Sequence, residues 1–176
     1  MRSSRVIIGI DPGLNGAIGF VEIIDDTLTR YDVYDIPTIK VEKSKKIKNM
    51  VDLDALDLLI EQCVNKYNLS LCITRYEAWI EDVHAMPMQG VTSMFSMGRT
   101  LGNLEMVISC NHIPIHWVSP QKWKKEVIFG AGSDKLISVS KAKELFPLCK
   151  FETERGRKLD GRAEAMLIAE YGRRQN

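Results

Sequence analysis

Residues 6–10, VIIGI, form an unbroken apolar run rich in β-branched side chains, which predicts a buried strand. Asp11-Pro12-Gly13 interrupts it, because proline donates no backbone hydrogen bond and glycine admits positive φ. AIGFVEII at 17–24 and LTRYDVYDI at 28–36 predict two further strands, with Asp25-Asp26 as the hairpin turn between them. The chain therefore opens as a β-β-β meander. The lysine-rich stretch 40–48 reads as a polar loop.

Helical spacing begins after Asp52, a candidate N-cap. Leu53, Leu56, Leu59, Ile60 and Val64 predict a helix over about 53–67. A strand follows and ends near Glu81. HAMPMQG at 84–90 is a loop, and Thr92 or Ser93 can cap a helix that runs to about Ser109. IPIHWV at 113–118 predicts another strand, and Ser119-Pro120 starts a short helix through Lys125. GAGSD at 130–134 is a loop whose Ser133 can cap a helix over 135–145, which Phe146-Pro147 ends. After a polar stretch at 150–159, a last helix spans about 160–172. No internal repeat or linker interrupts this order, so the 176 residues are read as a single domain.

Composition narrows the class. Hydrophobic residues make up 45% and charged residues 27%, as in ordinary globular chains. No apolar run approaches the length of a membrane span, and the short apolar stretch after the N-terminal arginines meets Asp11, as a first strand does and a signal peptide does not. Cys63, Cys72, Cys110 and Cys149 show no metal-binding or C-x-x-C spacing, so reduced, mostly buried thiols in a cytoplasmic setting are expected.

A net charge of +1 excludes a uniformly basic nucleic-acid binder. The charge is uneven, however. Lys40, Lys43, Lys45, Lys46 and Lys48 meet only Glu42 in their stretch. Lys122, Lys124 and Lys125 form a second cluster; Arg155, Arg157, Lys158 and Arg162 form a third. Each suits phosphate, and each equally suits a solvated loop.

Four carboxylates carry the chemistry. Asp11 and Glu81 stand at the ends of apolar runs; Asp160 and Glu164 lie at i and i+4 of the last helix and share one face. Hard divalent cations prefer such oxygen ligands, and a pair of cations can clamp the attacking and leaving oxygens of a phosphodiester. Each carboxylate has a plain alternative. Asp11 can form a turn before Pro-Gly, and Asp160 can favour the helix dipole. Glu77 and Asp82 compete with Glu81; period two places Glu77 on the face of Glu81 and Asp82 on the other. Glu164 has the weakest alternative, because Ala163, Ala165, Met166, Leu167 and Ile168 surround it and a carboxylate beside a core face needs a partner. His84, His112 and His116 show no ligand spacing, although His84 follows the Glu81 strand.

Taken in order, IGIDPGLNGAIGF, IEDVHAMPMQGVTSMFSMGRTLG, VSPQKWKK, GSDK and DGRAEAMLIAEYGRR resemble RuvC-type Holliday junction resolvases over about residues 5–174. The resemblance implies an α/β, RNase H-like fold with a mixed five-stranded sheet flanked by helices. It implies a homodimer that binds a four-way DNA junction and nicks paired strands with Mg²⁺ or Mn²⁺, two ions per active site. It would make Asp11, Glu81, Asp160 and Glu164 the catalytic metal ligands. Asp160 falls one residue before the family's usual third acidic position, and Leu159 stands where relatives often have histidine. Lys124 and Lys135 match basic residues placed near DNA. The helix from Ser93 resembles an interface helix, and the loop before it is directed at the junction centre; Met86, Met88, Met94, Phe95 and Arg99 are the expected DNA contacts there.

Two rival classes share parts of this pattern. Actin-like ATPases and sugar kinases also begin with strand-D-x-G, but they need a second domain and a second glycine-rich phosphate loop. A YqgF-like nuclease acting on RNA is nearer, and the long HAMPMQGVTSMF segment favours a junction reader over it.

Overall fold

A computed structural model describes residues 2–43, 46–68, 72–85, 88–128 and 135–175, without the side chains of Arg2, Lys43, Cys72 and Lys135. The chain opens with strands β1 (Arg2–Asp11), β2 (Ala17–Ile24) and β3 (Thr27–Asp35), the meander expected from the apolar pattern. Asp25 and Asp26 join β2 to β3 with φ of 48° and 63°. Positive φ at both central residues matches the right-handed twist of a hairpin, and aspartate tolerates it better than a bulky side chain would.

Residues 38–51 depart from the sequence reading. The stretch expected to be a polar loop forms an antiparallel hairpin, β4 (Thr38–Lys43) with β5 (Lys46–Val51). Ile39 and Val41 alternate with Lys40 and Glu42, and that period of two outweighs the lysine content. Asp52 N donates to Pro37 O over 3.0 Å and closes the base of the hairpin, and Ile36 N, just before it, donates to Gly16 O over 3.1 Å and ties that base to the β1–β2 turn.

Helix α1 (Leu53–Tyr67) starts as expected, with Ala55 N donating to the Asp52 side chain over 3.1 Å. Strand β6 (Cys72–Glu81) leads to helix α2 (Val91–Cys110). Gly90, and neither Thr92 nor Ser93, is the N-cap of α2, and no side chain caps it. Strand β7 (Ile115–Val118) is shorter than expected, because Pro114 cannot donate to a ladder; its carbonyl still accepts from Ala78 N at 2.8 Å. Helices α3 (Pro120–Val127), α4 (Lys135–Leu145) and α5 (Asp160–Arg174) complete the order. The expected loop and cap at 130–134 lie outside the described residues. Leu159, not Asp160, is the N-cap of α5, so Asp160 is its first helical residue.

The five-stranded sheet has the order β3-β2-β1-β6-β7. β1 pairs antiparallel with β2 and parallel with β6, and β7 continues parallel. Successive side chains alternate between faces. Val6, Ile8, Ile10, Phe20, Ala78 and Ile80 pack against α1 and α2. Ile7, Val21 and Ile23 pack against α3, α4 and α5 on the other face. Asp11 is in phase with Ile7, and Glu81 is in phase with Trp79, so both carboxylates fall on the α5 face.

Helix α5 crosses that face in backbone contact. A Cβ at Gly9 would lie 2.1 Å from Ala165 O and 2.3 Å from Ala169 N. Glycine in the strand and alanines in the helix bring α5 this close, and the approach carries Glu164 to the end of β1.

Candidate metal centre

β1 and β6 run parallel as neighbours, with Ile10 opposite Ile80. One step further, Asp11 and Glu81 emerge side by side at the carboxyl ends of the two strands. Ligand sites in α/β sheets favour that edge, because the strands stop there and leave room. Glu164 reaches the same place from the second turn of α5. Ligand oxygens of Asp11, Glu81 and Glu164 all lie within 4.8 Å of one another. Glu81 is buried, and the other two are partly buried.

Helix α3 supplies two partners from adjacent positions. The Trp123 indole Nε1 donates to Glu81 Oε1 over 2.9 Å, and Lys124 Nζ lies 3.0 Å from Glu164 Oε1. The Lys124 ammonium also stands 4.9 Å from the centre of the Trp123 ring. Trp123 is completely buried. Its role was missed in the sequence, where the flanking Lys122, Lys124 and Lys125 stand out as a basic cluster and Trp123 does not. The signal that could have exposed it is the indole N–H, which needs an acceptor once buried.

The electrostatics describe a site short of positive charge. Burial raises the Asp11 carboxyl to about 7, helped by the negative charges of Glu164, Glu81 and Asp160 and opposed by Lys124. Burial also raises Glu81, against the lowering effect of the Trp123 hydrogen bond. Among the described side chains, Lys124 is the lysine that faces the cluster of carboxylates. Oxygen-only donors held this closely suit a hard divalent cation, and its charge would relieve their repulsion. The donor set therefore fits a hard divalent cation: Asp11, Glu81 and Glu164 can hold a metal ion.

Asp160 stands apart from these three. It begins α5, one turn before Glu164, and is close enough to raise Asp11. It lines a cleft of ≈ 520 Å³ together with Asn15, Thr38, Arg157 and Lys158. The start of α5 is packed against the β1–β2 turn: a Cβ at Gly161 would lie 2.5 Å from Asn15 O and 3.1 Å from Asp11 Oδ2. Only a residue without a side chain fits between that turn and Asp11.

The competing acids are engaged elsewhere. Glu77 pairs with Arg5 at 2.7 Å, and Asp82 lies 3.3 Å from His84 Nε2. Of the third basic cluster, Arg162 is held by Asp35 through contacts of 2.6 and 2.8 Å. Among the expected DNA contacts, Phe95, Arg99 and Met88 are exposed and Met94 is half-buried. Met88 precedes α2 with φ of 72°. Met86 lies outside the described residues, as does the side chain of Lys135. Burial pushes the Cys63 and Cys149 thiols up to about 11, which suits unreactive core cysteines, whereas Cys110 is exposed. No described helix is long and apolar enough to cross a membrane.

No protein-family model matches the sequence. No curated protein matches it either. Solved structures share the fold. The structure titled "T. thermophilus RuvC in complex with Holliday junction substrate" matches at TM-score 0.60 and 16% identity, over 94% of this chain and 91% of that one. A second Thermus thermophilus RuvC structure matches at TM-score 0.55 and 16% identity, over 94% and 93%. The yeast mitochondrial Holliday junction resolvase Ydc2 matches at TM-score 0.53 and 16% identity, over 96% of this chain and 77% of that one. The mixed five-stranded sheet with its flanking helices is thus an RNase H-like fold of the RuvC kind. The likeness is one of architecture.

Proposed function

We propose that this chain is a metal-dependent endodeoxyribonuclease that resolves four-way DNA junctions as a homodimer. The observation that carries the reading is the convergence of Asp11, Glu81 and Glu164 within 4.8 Å at the carboxyl ends of β1 and β6. The RuvC-like fold supports the same reading.

In this reading Asp11, Glu81 and Glu164 hold a divalent cation, and Asp160, on the neighbouring turn, extends the set to a second. When bound, such ions lower the pKa of a coordinated water and neutralise charge on the phosphate. The remaining work belongs to the chain. Trp123 fixes the orientation of Glu81 and leaves its second oxygen for the ion. Lys124 offsets negative charge where the scissile phosphate enters. Lys135 and the α2 contacts Met94, Phe95 and Arg99, with Met86 and Met88 before them, meet the junction. A homodimer would match the two-fold symmetry of a junction and give paired nicks. Cleavage leaves a 5′ phosphate and a 3′ hydroxyl.

The test is cleavage of a synthetic four-way junction beside linear duplex, with Mg²⁺ or Mn²⁺ and with EDTA. Symmetric nicks confined to the junction and abolished by EDTA are expected. Metal-dependent cutting of RNA in preference to the junction would transfer the chain to the RNA-directed reading. No cutting of either substrate would overturn the nuclease assignment.

A further inference from the structure

The β4–β5 hairpin supplies no ligand to the metal centre, yet it stands beside the cleft that Asp160 lines. Thr38, at its base, lines that cleft with Asp160. A second groove of ≈ 460 Å³ lies between β5 and α2, lined in part by Lys48, Met50, Phe95 and Arg99. Leu14 lines both, so the two form adjoining surfaces.

The pairing register places the charges. Ile39 is opposite Met50, Val41 opposite Lys48, and Lys43 opposite Lys46. Directly paired residues share a face of an antiparallel ribbon, so Lys46 and Lys48 lie on the face of Met50. Arg99 of α2 lies 3.6 Å from Met50 Sδ, so this basic face is turned toward α2. Lys40, beside Asn49, projects from the opposite face. Lys40, Lys46, Lys48 and Arg99 are exposed, and none forms an ion pair among the described residues. Within 38–51 there are five lysines and one acid, Glu42. Among the described side chains the ribbon thus presents Lys40, Lys46 and Lys48 against the single acid Glu42, while the chain as a whole carries +1.

We infer that the β4–β5 hairpin is a phosphate-gripping ribbon that holds a duplex DNA arm against α2, with Lys46, Lys48 and Arg99 on the groove and Lys40 on the outer face. This rests on the nuclease reading for the direction of the strand, which passes from the cleft at Asp160 over Leu14 into the groove. Phosphate contacts of this type position nucleic acid without reading sequence. A two-stranded ribbon is also slim enough to lie in a major groove. Lysine on an exposed strand edge has a second use, because it deters edge-to-edge aggregation. The two uses differ in what Glu42 does: it opposes phosphate binding, whereas any charge protects an edge.

The experiment measures binding of a fluorescent four-way DNA junction in EDTA, across salt concentrations, for the full chain and its variants. The combined Lys40→Gln, Lys46→Gln, Lys48→Gln variant is expected to flatten the salt dependence by about 0.9 in log K per log salt for each lysine. That change in slope corresponds to binding about 10²–10³-fold more weakly at 0.1 M salt. Glu42→Gln should bind more tightly than the wild type. Arg75→Gln, on β6 six residues before Glu81, removes one charge from the other end of the sheet and should weaken binding less than Lys46→Gln. A triple variant with wild-type affinity and salt slope would overturn the ribbon. So would equal losses for Arg75→Gln and Lys46→Gln, or a loss seen with RNA duplex and not with the DNA junction. If the triple variant aggregates, Glu42→Gln decides: unchanged binding overturns the proposal. A wild type that cuts junctions while the lysine variants bind normally sinks the ribbon alone. A wild type that binds with a lysine-dependent slope but never cuts sinks the nuclease reading alone.

Discussion

Trp123 donates its indole hydrogen to Glu81 over 2.9 Å, from a ring with no exposed surface. The bond fixes one carboxylate oxygen of Glu81, and a carboxylate oxygen of Glu81 lies within 4.8 Å of those of Asp11 and Glu164. A hydrogen bond to a charged group contributes about 1.5–3 kcal/mol. Trp123→Phe keeps most of the ring volume and removes the donor. Glu81 then rises further in pKa, because the bond is what opposes its burial. Calorimetric Mn²⁺ titration should show weaker binding for Trp123→Phe, with a larger deficit at pH 6 than at pH 8. Equal affinity at both pH values would reduce Trp123 to a packing residue.

Asp11 destabilises the metal-free fold. Its carboxyl titrates at about 7 in the folded chain, against an ordinary 3.8. Between those two values the native state binds more protons than the unfolded chain, so stability falls as pH rises through the window. Asp11→Asn removes the charge and keeps the shape. In EDTA its Tm should exceed that of the wild type by several degrees at pH 8, and the gap should close near pH 4. The same variant should lose junction cleavage and retain junction binding. A wild-type Tm that does not respond to Asp11→Asn at pH 8 would show that the carboxylates do not repel one another as their spacing requires.

Among the described side chains, Lys124 is the cation facing the cluster. Lys124→Met leaves Glu164 without its partner at 3.0 Å and increases the negative charge of the site. Divalent affinity should therefore hold or rise. Turnover should fall by about 10²–10³, the range seen when one group that stabilises developing charge is removed. Single-turnover cleavage together with Mn²⁺ titration separates the two effects. Loss of metal binding would mean that Lys124 acts by organising Glu164.

Gly161 is the tightest point of the site. Gly161→Ala places a methyl 2.5 Å from Asn15 O, which is backbone and cannot rotate away. The start of α5 must shift, at a cost of about 1–3 kcal/mol. The variant should show a lower Tm and a larger loss of Mn²⁺ affinity than an alanine at exposed Gly102, where an added Cβ meets nothing within 4 Å. Similar Mn²⁺ affinities for the two variants would detach Gly161 from the metal centre.

Much of the fold was legible because its periods are strong. The unbroken apolar run at 6–10, the turn-bounded strands of the meander and the helical spacing of α1 each give a local signal over several residues, and each forms as expected. The hairpin at 38–51 is hard to read in the sequence, because five lysines mask the short alternation of Ile39 and Val41 and Ile47 falls on the face opposite Met50. The α2 start was displaced because Thr92 and Ser93 resemble caps, while the helix begins at Gly90 without a side-chain cap.

The sequence by itself determined which carboxylates could act together. Asp11 and Glu81 end buried strands, and Glu164 sits among apolar neighbours that no solvated acid favours. It also placed Asp160 and Glu164 on one helical face. Only the tertiary structure decided that three of the four converge within 4.8 Å and that Asp160 instead lines the cleft at the start of α5. That outcome depends on how closely α5 approaches β1, which Gly9, Ala165 and Ala169 set through backbone contact between segments more than 150 residues apart. The pairing of Trp123 with Glu81 and of Lys124 with Glu164 has the same origin. Local periodicity acts over a few residues, whereas the distance between these side chains is set by packing across the whole sheet.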